Sequence, residues 1–186
     1  MSIAEKETNL SPVYQHEIVE FVTVAVRYCS YLENLSDVNR GDFVDTMTKL
    51  LPLLYLKGAL LPQFLHDEDV VTESFVTEDI YDAIRNDIAS LMATYDDYLD
   101  VFVEDMKYSD TPILQTISES LADIYQDLRN CCEAYKSGDE SLMTEAIATC
   151  SESYLYYWGQ RAVNALRALH DIKAHATNDT EEEYHD

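Results

Sequence analysis

Residues 95–136 read YDDYLDVFVEDMKYSDTPILQTISESLADIYQDLRNCCEAYK, and the fold turns on how this stretch divides. Tyr81, Ile84, Ile88, Leu91, Tyr95, Tyr98, Phe102 and Met106 recur in steps of three and four, the period of one helix face. Ile113, Ile117, Leu121, Ile124, Leu128, Cys131 and Tyr135 repeat that period. Between the stripes stands Tyr108-Ser109-Asp110-Thr111-Pro112. Thr111 can cap a helix through its hydroxyl, and Pro112 suits a first helical position, where the N–H it lacks would have no partner. The stretch therefore predicts the end of one long helix, a tight turn, and a second helix that stops before Gly138, a fitting left-handed C-cap.

Outward from this hairpin the same signals recur. Ser11-Pro12 opens a helix predicted over residues 12–34, with Ile18, Val22, Ala25, Cys29 and Leu32 on its stripe. A second helix is expected from Asp42. Its LLPLLYLKGALLP run (50–62) is apolar almost all round, which implies burial on several sides. Pro52 should kink or restart it, and Pro62 ends it. Residues 63–76 read as a loop with His66-Asp67-Glu68-Asp69 at its tip, and Thr77 caps the third helix. Asp139 starts a last helix expected to reach about residue 174, striped by Ile147, Cys150, Tyr154, Trp158, Ala162, Ala165, Leu169 and Ile172.

With 4 Gly, 4 Pro and almost no strand signal, the fold class is all-α. Short connections make successive helices antiparallel neighbours, so the expected architecture is an antiparallel bundle of about five helices. Residues 11–176 form the single helical domain, 1–10 a flexible leader, and 177–186 (TNDTEEEYHD) a disordered acidic tail.

The 186 residues carry a net charge of −24. That balance speaks against direct nucleic-acid binding, which needs Lys or Arg on the contacting face, and against an anionic membrane surface. No uncharged run is long enough to span a bilayer, and MSIAEKETNL lacks the apolar core of a signal peptide. Cys29, Cys131, Cys132 and Cys150 form no C-x-x-C pair and sit in helical patterns, as expected of reduced thiols in a cytoplasmic protein.

The acid is concentrated. Thirteen Asp and Glu fall between residues 67 and 105, against Arg85 alone, and Glu119, Asp123 and Asp127 follow four apart. One reading is a site for Mg²⁺ or Mn²⁺ built from Asp97, Asp100 and Glu104 on one helix and Glu119 and Asp123 on the next, serving a phosphohydrolase that acts on nucleotides. The blander reading is a solvated face, since Glu119, Asp123 and Asp127 lie largely opposite the Ile113–Leu128 stripe. The two Glu-x-x-His motifs of a di-iron bundle and the paired acidic motif of helical nucleotide pyrophosphohydrolases are not reproduced. His66, among acids, reads as a weak ligand or as a surface residue with a raised pKa. Tyr154, Trp158 and Arg161 fall on one side of the last helix. They would form either an aromatic pocket in which Arg161 grips an anionic ligand, or an aromatic core with Arg161 paired to Glu119 or Asp123 across a helix interface.

Four segments carry a resemblance: FVTVAVRYC (21–29), LLYLK (53–57), SESLADIYQDL (118–128) and YWGQ (157–160). They resemble an uncharacterised all-helical domain family of Bacteroidetes-type bacteria. The resemblance covers most of the chain and implies a helical fold in a bacterial cytoplasm. It transfers no catalytic residue. The leading expectation is a non-catalytic interaction or regulatory module whose acidic surface meets a basic partner protein, mimicry of nucleic-acid charge being one form of it. No cofactor is expected, Mg²⁺ or Mn²⁺ belonging to the phosphohydrolase alternative. The long apolar run also permits a homodimer.

Overall fold

The structure is a computed structural model that describes residues 11–100 and 113–182, with side chains to residue 175. Ser11 and Pro12 begin a 3₁₀ turn over Pro12–Tyr14 rather than the first helix. Gln15, with ψ 149°, breaks the turn, and α1 (His16–Leu32) starts just after it. Asn39 caps α2 (Arg40–Ala59) by accepting the Asp42 N–H at 3.0 Å. This helix runs through Pro52 without restarting, because the ring sits on the exposed side. Nor is α2 buried all round. Phe43, Met47, Leu51, Leu54 and Gly58 point inward, while Leu53, Tyr55, Leu56 and Leu60 remain exposed.

Thr77 caps α3 (Glu78–Met92) by accepting from the Ile80 N–H at 3.3 Å. Here the expected long helix fails. It stops at Met92, where Ala93 takes a left-handed φ of 52°, a conformation a Cβ makes costly. A short 3₁₀ turn (Ala93–Tyr95) follows, then β1 (Asp97–Asp100), paired antiparallel with β2 (Ile113–Thr116). Asp97 stands opposite Thr116, and Asp100 opposite Ile113. The chain leaves the helix because Asp96 has better partners elsewhere. Its carbonyl accepts the Ile117 N–H at 2.8 Å, and its buried carboxylate accepts the Ser118 N–H at 2.8 Å and hydroxyl at 2.6 Å. These are free donors of the next helix's first turn. The turn expected at Tyr108–Pro112 and the stripe residues Phe102 and Met106 lie outside the described residues.

That next helix, α4 (Ile117–Lys136), begins five residues later than expected. Its cap is Thr116, which accepts the Glu119 N–H at 3.2 Å. Gly138 ends the connection with φ 75°, as its C-cap position requires, and Asp139 caps α5 (Glu140–Ser153). A π-turn over Tyr154–Trp158 joins α5 to α6 (Gly159–Glu182) without a break, so the two form one rod. The described residues thus form an all-α bundle of five helical rods with one two-stranded hairpin. The last rod reaches Glu182, into the segment expected as a tail.

The centre of the bundle is α4, which packs against α1, α3, α5 and α6. A helix covered on four sides buries more than one stripe. Ser118, Ser120, Ala122 and Asp123 are therefore as buried as Leu121 and Ile124. On the far side α2 packs against α1 and α6. Lys173 of α6 meets Asp45 of α2 at 2.7 Å, and Lys49 meets it at 2.5 Å; these two ammonium groups hold the Asp45 carboxyl down at about 2.

Helix α2 approaches the α5–α6 rod through Gly58. A Cβ built there would fall 2.5 Å from Cη2 of Trp158 and 2.9 Å from Cδ2 of Tyr154. Gly58→Ala gains roughly 1 kcal/mol of helix propensity but must displace a buried indole, an overpacking cost of about 1–3 kcal/mol. The expected net result is a loss of about 1 kcal/mol, read as a lower midpoint in urea denaturation.

Candidate functional site

The π-turn sets the geometry of the polar interior. The Gly159 N–H bonds back to the Tyr154 carbonyl, five residues earlier, and a Cβ on Gly159 would run into that oxygen. The extra residue turns Trp158 fully inward, where it stacks on Phe21 at 6.2 Å and donates Nε1–H to the Cys150 carbonyl at 3.0 Å. It also leaves Tyr157 beneath Arg161, whose guanidinium carbon lies 4.5 Å from the ring centre. Single π-turns of this kind frequently mark functional positions.

Arg161 reaches across to α4. Its Nε is 2.9 Å from Oδ2 of Asp123. The other carboxylate oxygen, Oδ1, accepts the Tyr81 hydroxyl of α3 at 2.8 Å. Burial first, and then this bond to Asp123, raises the Tyr81 phenol; burial likewise raises that of Tyr157. One turn toward the hairpin, the Tyr98 and Ser120 hydroxyls are 2.9 Å apart, Asn164 donates to Asp100 at 3.3 Å, and Arg167 donates to the Leu99 carbonyl at 2.8 Å. The cluster joins α3, the hairpin, α4 and α6 through hydrogen bonds between formally opposite or neutral groups.

Among the described residues, the carboxylates expected to hold a metal ion are not brought together. Asp97 and Asp100 sit on a strand, not a helix, and three residues apart on a strand means opposite faces. Asp97 is exposed and Asp100 half-buried against Asn164. Glu119 faces solvent, whereas Asp123 is buried and bound to Arg161. Glu104 lies outside the described residues. Among the described residues no three His, Cys, Asp or Glu side chains are grouped to hold a metal ion. The solvated-face reading also needs correction, since only Glu119 of the α4 series is exposed; Asp123 is covered by α3 and α6, and Asp127 is half-buried. Of the aromatic set, Trp158 is core and Tyr154 is half-buried against Tyr55 at 5.2 Å. Arg161 stands apart from both in its pair with Asp123, one of the two acids expected for it.

The segment 63–76 crosses α4 and α5 as a strap. Gln63 donates to Ser151 at 2.7 Å. His66 stands between two acids of α5, with Nδ1 2.7 Å from Glu145 and Nε2 3.2 Å from Glu152, and the Asp67 N–H reaches the same Glu145 at 2.9 Å. Farther along, Oδ1 of Asn130 accepts the Phe75 and Val76 N–H groups, each at 2.8 Å, and Arg129 lies over the Phe75 ring at 4.7 Å. The hydrogen bond with Glu145 leads the effects that raise the His66 pKa above its ordinary 6.5. For Glu145, burial is the largest effect and acts upward, but the His66 and Asp67 hydrogen bonds outweigh it and leave the carboxyl below its ordinary 4.5.

The sign of the resulting pH dependence follows from both shifts. A raised histidine stabilises the fold fully below 6.5 and stops doing so as pH climbs through its higher folded value. A depressed carboxyl stabilises above 4.5 and stops as pH falls through its lower folded value. The melting temperature of His66→Ala is therefore expected to lag the wild type most between pH 4.5 and 6.5, with the gap narrowing at alkaline pH. A gap that widens above neutrality would contradict the clamp.

Sequence reasoning missed Tyr81, Asp96, Ser118, Ser120, Asn130, Glu145 and Asn164 as organising polar residues. One signal was available: Thr116-Ile117-Ser118-Glu119 is a Thr-x-x-Glu capping pattern that places the start of α4 correctly.

Fold and interior together define a helical-bundle domain whose central helix carries a buried acid paired to an arginine of the last rod. The family described as a domain of unknown function (DUF5063) matches residues 12–175, nearly the whole bundle, and the chain belongs to that family. The match agrees with the Bacteroidetes-type resemblance carried by residues 21–29, 53–57, 118–128 and 157–160. The crystal structure of protein BF1032 from Bacteroides fragilis is similar at a TM-score of 0.77 and 40% identity, covering 87% of this chain and 97% of that one. No curated protein matches the chain. No described helix is long and apolar enough to cross a membrane.

Proposed function

We propose that the protein is a non-catalytic interaction module of the bacterial cytoplasm whose acidic face meets a basic partner protein. The observation that supports this reading best is how its carboxylates divide. The buried ones are engaged by the fold: Asp96 with Ser118, Asp123 with Arg161 and Tyr81, Glu145 with His66 and the Asp67 N–H. Of the exposed ones, Glu68, Asp69, Glu73, Glu78, Asp79 and Asp87 run along the strap and α3. Arg85 is the single Lys or Arg between residues 67 and 100, and it lies 3.0 Å from Asp82. A surface of one sign steers encounter with the opposite sign and repels nucleic acid and anionic membranes. Four free, buried cysteines suit a reducing compartment.

The immobilised chain is expected to retain a basic protein from a bacterial lysate at about 50 mM salt and to release it by about 300 mM, where screening shortens to roughly a helix radius. Replacing Glu78, Asp79 and Asp87 by Gln and Asn should weaken retention about tenfold or more, equivalent to about 1.4 kcal/mol. Retention indifferent to both salt and these replacements would contradict an electrostatic interface.

A further inference from the structure

Beneath the strap, between α4 and α5, lies a cleft of about 160 Å³. The strap is pinned on either side of it, by His66 and Asp67 on Glu145 and by Phe75 and Val76 on Asn130. Its apolar wall is Ala134, Ala146 and the thiols of Cys131 and Cys150; the rest of its lining is polar and includes two carboxylates, the exposed Glu73 of the strap and the half-buried Asp127. The Ser153 hydroxyl donates to its Oδ2, and among the described residues no Lys or Arg is ion-paired with it. Burial is the main effect raising this carboxyl above its ordinary range, and the nearby Asp123 adds to it. A half-buried carboxylate with no cation bonded to it is under-compensated, Arg161 acting on it only through its more distant charge, and here it borders open space.

We infer that the cleft binds a small primary ammonium ion carrying a short apolar chain. The ammonium would stand against Asp127 and the Ser153 hydroxyl, and the chain against Ala134, Ala146 and the two thiols. The volume fits such a ligand, since apolar cavities of roughly 150 Å³ accept a molecule the size of benzene. That limits the chain to about four to six carbons. The net charge of −24 favours a cation over an anion at this place. This site lies between α4 and α5 and shares only Glu73 with the acidic face of the strap and α3, and its ligand is a metabolite-sized amine rather than a protein.

Calorimetric and NMR titration of the full chain with n-butylammonium tests it, with 1-butanol as the neutral isostere. Three variants accompany the wild type, each checked for folding by its melting curve. Asp127→Asn keeps the shape and removes the charge, Thr149→Phe narrows the cleft from its exposed rim, and Glu17→Gln removes an unrelated exposed carboxylate of α1. The expected result is saturable one-site binding, with shift changes centred on Cys131, Ala146 and Cys150. Affinity should fall at least about tenfold, or about 1.4 kcal/mol, in Asp127→Asn, in Thr149→Phe and for butanol, and stay unchanged in Glu17→Gln. Should Asp127→Asn not fold, Thr149→Phe and the butanol comparison still decide. Absence of saturation, equal loss in Glu17→Gln, or affinity retained when the cleft is narrowed overturns the inference.

Discussion

Trp158→Ala is expected to lower unfolding stability by about 4 kcal/mol, in the range for removing a large buried aromatic. The indole is fully buried and touches three parts of the bundle: Phe21 of α1 at 6.2 Å, Tyr154 of the π-turn at 4.9 Å, and Gly58 of α2, which has no side chain to fill the space vacated. The Cys150 carbonyl also loses the donor at 3.0 Å. Trp158→Phe, which keeps a ring but not the N–H, should lose roughly half as much. Equilibrium urea denaturation with an unchanged slope checks both. A loss below about 1 kcal/mol for the alanine variant would mean that the indole is not the wedge between α2 and the last rod.

The second large effect is expected at Arg161. Removing one partner of a buried ion pair leaves the other charge uncompensated, which costs about 3–5 kcal/mol in fully buried pairs. Asp123 is only 11% exposed and would be left with the Tyr81 hydroxyl, while Arg161 is 29% exposed. The lower end, about 3 kcal/mol, is therefore expected for Arg161→Ala. Replacing both residues by apolar ones, Asp123→Leu with Arg161→Met, should recover much of it, because no buried charge is then stranded. Arg161→Lys should recover less than its charge suggests, since an ammonium stacks poorly on the Tyr157 ring and lacks the planar guanidinium that spans Tyr157 and Asp123.

These two residues also show what the sequence revealed. Helix spacing identified Trp158 on an apolar stripe and paired Arg161 with Asp123 as one of two candidates, because such pairings depend on local period alone. It misjudged the environment of Asp123. A wheel drawn for one helix assumes one buried face, and α4 is covered on four sides. The five helical rods were legible for the same reason, and the hairpin was not. Tyr95 and Tyr98 happen to continue the helical step, and nothing in Ala93-Thr94 signals a stop. The stop comes from a distant partner, the N-terminus of α4, whose free N–H groups draw Asp96 out of the helix. Two capping signals competed for the start of α4, and Thr116 with Glu119 prevailed. Asp97 and Asp100, expected to share a helix face, thereby lost the face itself.

The engagement of the strap followed the same pattern. A loop histidine among acids suggested a raised pKa, and His66 has one. Its partners, Glu145 and Glu152, lie roughly eighty residues along the chain and carry no local mark.

Asp123 is bound into the fold by Arg161 and Tyr81. A double-mutant cycle on Asp123→Asn and Arg161→Met, read by urea denaturation with and without 5 mM Mg²⁺ or Mn²⁺ at about that concentration, tests this most directly. The account predicts a coupling of about 2 kcal/mol or more between the two residues and no stabilisation by either metal ion. A coupling under about 0.5 kcal/mol, together with metal-dependent stabilisation that Asp123→Asn abolishes, would contradict it.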